Sequence, residues 1–259
     1  MRLIIGSNSL ISVSLQRNWE KKEIKFHATT RRIEAKNKNI FYLDLLDLDD
    51  IKLSKNYSEV IICVSCTDLT LCESNPEETY KINVDAIIKL IKFFADTSTQ
   101  IIIFSSNQVF DGEKPFRKID DRRNPISEYG KQKKSLEEYA EDFKNVTILR
   151  LTRVFSYEFN LFKNWKKRLL EGQEIEAFSD YCISPLHIDK VIAKINNLIK
   201  KRKFGISHCH GGYSDITYYD FAVSIANDLQ CPLELVKKTS FKDANFNYRL
   251  PKYTSLLEE

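Results

Sequence analysis

Glycine and proline are scarce in this chain, seven and six among 259 residues, and there is a single methionine. That excludes collagen-like and Gly/Pro-rich disordered architectures. Long apolar runs are missing too. None approaches the roughly 18 residues of a membrane span, and no signal peptide precedes the first run, Leu3-Ile4-Ile5, so a cytoplasmic protein without membrane attachment is expected. Neither sign of charge dominates: 40 Lys and Arg face 36 Asp and Glu, a net of +4. A nucleic-acid reader would carry a denser basic stripe, so nucleic acid is not an expected partner, whereas a small anionic ligand suits this balance. The basic run Lys200-Lys201-Arg202-Lys203 closes a helical pattern and reads as a solvated C-terminal face.

The six cysteines do not form a metal pattern. Cys63-x-x-Cys66 lacks a second C-x-x-C or a suitably spaced His pair, and Cys63 ends the apolar run Val60-Ile61-Ile62. Reduced, strand-end thiols are expected there, and no metal. His208-Cys209-His210 likewise alternates along a strand pattern.

What the chain does have is a repeating alternation. Apolar runs at Leu3–Ile5, Ile24–Ala28, Ile40–Leu43, Val60–Val64, Ile101–Phe104 and Val146–Leu151 are separated by helical patterns, the longest at Glu77–Phe94 and Ser127–Phe143. This predicts an α/β fold, a doubly wound parallel sheet with helices on both faces and ligands at the carboxyl ends of the strands. Beyond Leu151 the pattern becomes irregular, with short helices near Phe159–Glu171, Ile188–Lys200 and Tyr218–Leu229.

Two segments carry the chemistry. Ser105-Ser106 ends the buried run Ile101–Phe104, and 23 residues beyond Ser106 stands Tyr129-Gly130-Lys131-Gln132-Lys133. Tyr129 and Lys133, four apart, share a helix face. A hydroxyl to polarise a carbonyl, a phenol to supply a proton and a lysine to lower the phenol's pKa are what carbonyl reduction with a nicotinamide requires. The surrounding Ser105-Ser106-Asn107-Gln108-Val109-Phe110-Asp111-Gly112, followed by Asn124-Pro125 and Tyr129-Gly130, resembles the extended short-chain dehydrogenase/reductases, and within them the dTDP-4-dehydrorhamnose reductase branch. Fainter likeness continues through Asp180-Tyr181-Cys182-Ile183-Ser184-Pro185 and Arg249-Leu250-Pro251-Lys252.

The resemblance implies a Rossmann-type dinucleotide-binding domain at 1–151 and a smaller substrate lobe at 152–259, partly interleaved with it. It implies Ser106, Tyr129 and Lys133 as the catalytic set, and Ser106, Asn107, Val109 and Phe110 as substrate contacts. Asn107 stands where the rhamnose-type reductases have an aspartate, so any role needing that carboxyl is not expected. For the cofactor it implies Gly6, Asn8, Ser9 and Leu10 at the pyrophosphate, Asp44 and Leu45 near adenine, and Cys63, Val64 and Ser65 beside the nicotinamide ribose, with Tyr129 and Lys133. Arg31 follows the second run, where NADP-using relatives place an arginine, and no acidic residue ends that run, so NADPH is expected in preference to NADH. Only the first glycine of the G-x-x-G-x-x-G turn is present, and Ser9 and Ser12 are expected to crowd a pyrophosphate.

The expected activity is NADPH-dependent reduction of a nucleotide-activated 4-keto-6-deoxysugar. The alternatives are sugar-nucleotide epimerisation and, given the glycine-poor turn, a non-catalytic nucleotide-binding subunit of the kind that regulates methionine adenosyltransferase. A homodimer is the oligomer to look for, although the residues do not specify one.

Overall fold

The apolar runs become parallel strands because each can bury both faces beneath helices. The computed structural model describes residues 1–47, 53–212, 214–244 and 246–257. In chain order the first half contains β1 (Arg2–Ile5), α1 (Leu10–Lys21), β2 (Phe26–Thr30), β3 (Ile40–Tyr42), β4 (Glu59–Ile62), α2 (Leu69–Ser74), α3 (Pro76–Tyr80), α4 (Ala86–Phe94), β5 (Gln100–Ser106), α5 (Glu128–Ala140) and β6 (Val146–Leu151). The second half contains β7 (Arg153–Phe155), α6 (Asn160–Leu170), β8 (Ile175–Phe178), β9 (Cys182–Ile183), β10 (Pro185–His187), α7 (Ile188–Lys201), β11 (Gly205–Cys209), β12 (Ile216–Thr217), α8 (Tyr218–Asp228) and β13 (Val236–Thr239). The main sheet has seven parallel strands in the order β11-β6-β5-β4-β1-β2-β3. This is the doubly wound Rossmann order with one further strand, and β1 and β4 meet at its switch point.

Alternation along the strands divides the core. Leu3, Ile5, Val60, Ile62, Ile101 and Ile103 pack under α4 and α5, while Ile4, Ile61 and Ile102 pack under α1 and α7 with Leu15, Trp19 and Ile195. Each such buried side chain contributes about 1.5–3 kcal/mol through area removed from water. A third, aromatic-rich core holds the second half together, with Phe155, Phe162, Trp165, Tyr218 and Phe221 at its centre. The two halves interleave, since α7 and β11 complete the main sheet.

The Glu77–Phe94 pattern forms one helical path with a π-turn at Lys81–Asp85 between α3 and α4. The wider turn carries a fully buried asparagine, Asn83, on the largely apolar buried face of this path. Under α5 lies a buried ion pair in which Arg150 Nε and Nη2 donate to Glu137 Oε1 and Oε2 at 2.9 and 2.8 Å. His208 contacts Arg150 Nη1 at 3.2 Å and the Leu257 carbonyl at 2.8 Å, and burial first of all lowers its pKa to about 4. It is therefore a neutral structural imidazole. Among the described residues no helix is long and apolar enough to cross a membrane, and no three His, Cys, Asp or Glu side chains are grouped to hold a metal.

Candidate active site

Ser106 is the last residue of β5 and caps the 3-10 turn Asn107–Val109, its Oγ accepting from Gln108 N at 3.2 Å and donating to Asn107 Oδ1 at 3.1 Å. The start of α5 is pressed onto this turn. Ser127 caps the helix, accepting from Gly130 N and donating to Gln108 Oε1, both at 3.1 Å. Gly130 permits the approach: a Cβ there would lie 2.2 Å from the Gln108 carbonyl oxygen. This explains the glycine that follows Tyr129, because it lets the start of the helix close onto the turn that follows β5.

Tyr129 is 9% exposed and Lys133 1% exposed. Lys133 Nζ donates to the Phe104 carbonyl at 3.1 Å and lies 5.5 Å from the centre of the Tyr129 ring. Burial lowers the ammonium's pKa to about 8, opposed chiefly by Glu137. Burial raises the Tyr129 phenol well above its ordinary value, reinforced by Cys72; a hydrogen bond with Ser65 and the Arg153 guanidinium pull the other way. The phenol is thus a proton donor that stays loaded near neutrality.

Ser65 follows β4, and its Oγ donates to Asn83 Oδ1 at 2.9 Å. The same oxygen accepts from Cys66 N at 2.7 Å, while Asn83 Nδ2 donates to Cys66 O at 3.0 Å and to Gln132 Oε1 at 2.7 Å. Asn83 therefore fixes the loop that carries Ser65 and ties it to α5 through Gln132. The resemblance implies a helix asparagine at Asn83, and a core-facing structural amide is the equal alternative; the side chain is buried and hydrogen-bonded, while nothing in the sequence marks the π-turn that delivers it.

At the other end of the cleft, Gly6 has φ +89°, and a Cβ there would stand 2.3 Å from Val64 Cγ2. Glycine is required twice over, by conformation and by contact. Ser9 caps α1, its Oγ accepting from Ser12 N at 3.2 Å, and it also contacts the Cys63 thiol, whose pKa burial drives upward. The N–H groups of Leu10 and Ile11 open the helix with no intrahelical acceptor, as in any first turn, and so can meet an anion. Ser12 does not line the mouth of the turn. It is fully buried, and its Oγ accepts from Gln16 Nε2 at 3.0 Å, while the same amide reaches Ser7 O at 2.8 Å. Gln16 closes the space that a third glycine would leave. Ser12→Gly is accordingly expected to cost about 1–2 kcal/mol, from helix propensity plus a lost hydrogen bond, without tightening dinucleotide binding. Thermal unfolding together with an NADPH titration checks both halves of that expectation.

Arg31 is exposed beyond β2. Asn8 is exposed at the turn; Asp44 Oδ1 accepts from Leu46 N at 3.0 Å, and Leu45 packs against the core. A dinucleotide fits these residues: a glycine cradle, a free helix N-terminus, an exposed arginine at the β2 edge and a buried lysine at the far end. Asn107 stays beside Ser106, its Oδ1 accepting from the serine hydroxyl, whereas the two apolar residues expected at the substrate are buried. Asn107 Nδ2 donates to the Thr254 carbonyl at 2.9 Å. Val109 and Phe110, 0% and 2% exposed, pack with Leu256 in a small core, so they shape the site from beneath and present no surface to a substrate.

Compared with known proteins, the chain matches the RmlD substrate binding domain over residues 1–259. It is 29% identical over 209 residues to the probable low-salt glycan biosynthesis reductase Agl14 of Haloferax volcanii, covering 78% of this chain and 67% of that protein. It is 25% identical over 246 residues to methionine adenosyltransferase 2 subunit beta of Bos taurus, covering 89% and 72%. Among solved structures, a hypothetical dTDP-4-dehydrorhamnose reductase from Sulfolobus tokodaii superposes with TM-score 0.84 at 27% identity, covering 99% of this chain and 92% of that one. The dTDP-4-dehydrorhamnose reductase of Bacillus anthracis, in complex with NADP, shares the fold with TM-score 0.86 at 19% identity over 100% and 90%. The match over the whole chain, with the Ser-Ser-Asn-Gln-Val-Phe-Asp-Gly and Tyr-Gly-Lys-Gln-Lys segments at the ends of one Rossmann-type sheet, places this protein in the RmlD substrate binding domain family, the dTDP-4-dehydrorhamnose reductase-like branch.

Proposed function

We propose that this protein is an NADPH-dependent reductase of a nucleotide-linked 4-keto-6-deoxysugar. The observation that carries the reading is the buried pairing of Tyr129 and Lys133 on one face of α5, whose start Gly130 lets approach Gln108 in the turn that Ser106 caps. Gly6, Ser9 and the first turn of α1 would hold the pyrophosphate, Arg31 the 2′-phosphate, and Lys133 and Ser65 the nicotinamide end. When bound, the reduced nicotinamide supplies the hydride. Ser106 turns its hydroxyl from Asn107 towards the sugar's carbonyl oxygen and polarises it. Tyr129, kept protonated by burial, delivers its proton to that oxygen as negative charge develops. Lys133, still an ammonium near neutral pH, stabilises the phenolate that remains. The reductase names among the relatives support the reading. The test is NADPH oxidation with dTDP-4-keto-6-deoxysugars.

A second reading, a non-catalytic nucleotide-binding subunit, is favoured by one observation: methionine adenosyltransferase 2 subunit beta of Bos taurus aligns over 89% of this chain, and this chain's glycine-poor turn suits weakened cofactor use. NADPH binding without oxidation across a broad panel of keto-sugar nucleotides would select it.

Arg31 tests the cofactor assignment. NADPH should bind more tightly than NADH, and Arg31→Ala should erode that preference by about 10- to 100-fold, the worth of one charge-assisted contact to phosphate. Equal affinities for the two dinucleotides in both proteins would remove the arginine from the site.

A further inference from the structure

Every residue of β6 is buried, as is Thr152, yet Arg153 immediately beyond them is exposed. An arginine surfacing at the carboxyl end of a central strand stands where a doubly wound sheet receives its ligand. Leu151 pairs with Ser106 across β5 and β6. Strand spacing and rise then put the Arg153 backbone roughly 8 Å from that of Ser106. Its guanidinium lies over the Tyr218 ring, 5.9 Å from the centroid. Tyr218 meets Tyr181 at 4.9 Å, Tyr181 meets Phe241 at 5.3 Å, and Phe241 meets Tyr248 at 5.6 Å, so an aromatic cluster stands behind the arginine. Among the described residues no carboxylate forms an ion pair with Arg153, in contrast to Arg117, Arg123 and Arg150, each of which has one. A planar cation exposed beside a tyrosine, hydrogen-bonded to that phenol and to no carboxylate, keeps N–H groups for a planar or tetrahedral oxyanion.

We propose that Arg153, backed by Tyr218 and Tyr181, anchors an anionic group of the substrate, a phosphate or a sugar carboxylate, beside the reacting carbonyl and thereby selects the sugar nucleotide. The inference rests on the reductase reading above and adds the group through which the substrate is chosen. The closeness of the guanidinium to the reacting centre agrees with its influence on the Tyr129 phenol, whose ionised form it favours. Arginine suits the task better than lysine, because its planar fork presents two parallel N–H groups.

The test is calorimetric titration of dTDP, UDP, UDP-glucose and UDP-glucuronic acid into wild type, Arg153→Leu and Arg153→Lys, with melting temperature and NADPH affinity measured alongside. If a phosphate is held, Arg153→Leu should weaken nucleoside diphosphates at least about tenfold, with Arg153→Lys between the two. If a sugar carboxylate is held, diphosphate affinity should stay and the wild-type preference for the glucuronate over the glucose should vanish in Arg153→Leu. Wild type that binds these nucleotides, with a folded Arg153→Leu that binds them all equally well, overturns the inference and leaves the reductase reading standing. Wild type that binds none of them overturns both.

Discussion

Tyr129→Phe should lower turnover of a 4-keto nucleotide sugar by about 10²–10⁴-fold while NADPH affinity and melting temperature stay near those of wild type. The ring that packs at the head of α5 is retained, and only the hydroxyl is lost. That hydroxyl's partner, Ser65, keeps its bond to Asn83 Oδ1 at 2.9 Å, so no buried donor is stranded by the change. Ser106→Ala should also reduce turnover with little effect on cofactor affinity, since its hydroxyl caps the Gln108 turn and faces the carbonyl but holds no part of the dinucleotide. The pH dependence adds a second mark. The raised pKa of Tyr129 keeps the acid loaded throughout the neutral range, so the activity limb on the alkaline side should come from Lys133, near pH 8. A steady-state profile of NADPH oxidation across pH 6–10 reads this directly. Full activity in Tyr129→Phe would end the mechanism.

The parts of this arrangement that were legible in the sequence are those built from local pattern. Ile101–Phe104 had to be a buried strand, and Tyr129 and Lys133 had to share a face four residues apart. The closure of α5 onto the turn after Ser106 also had a local cause in Gly130, whose contact with Gln108 spans only 22 residues. What was hidden depends on side-chain contacts that the local pattern does not carry. Val109 and Phe110 look like substrate contacts in their segment, but Leu256 arrives from the far end of the chain and buries them. Ser12 looks like an obstruction at a glycine position, but Gln16, one helical turn later, draws its hydroxyl inward. Asn83 reaches Ser65 and Gln132 only because a π-turn interrupts a helix whose apolar pattern runs on without a break. Arg153 gave no periodic signal at all, because a strand's last polar residue and a loop's first one look alike.

Lys133→Met should abolish NADPH-dependent turnover and yet make the protein more stable at neutral pH. Lys133 is 1% exposed, and burial holds its pKa near 8 against an ordinary value of 10.5. A base with a depressed pKa in the folded state destabilises that state wherever the unfolded chain binds more protons or both are charged. The cost is therefore fully present below pH 8, shrinks as pH rises from about 8 to 10.5, and is absent above. The difference of pKa corresponds to at most about 3 kcal/mol. Methionine is close in volume and flexible enough to fill the same space, and the Phe104 carbonyl it leaves lies in a paired strand. The variant should thus melt a few degrees above wild type at pH 7, and the gap should close towards pH 10. NADPH affinity should fall in the same variant, because the ammonium serves the ribose as well as the phenol. Differential scanning calorimetry at several pH values and an NADPH titration separate these effects. A variant that melts below wild type at pH 7, or a gap that does not change with pH, would mean that Lys133 is held for the fold; a gain in stability coupled to lost cofactor binding would mean that the chain carries a buried charge for its chemistry.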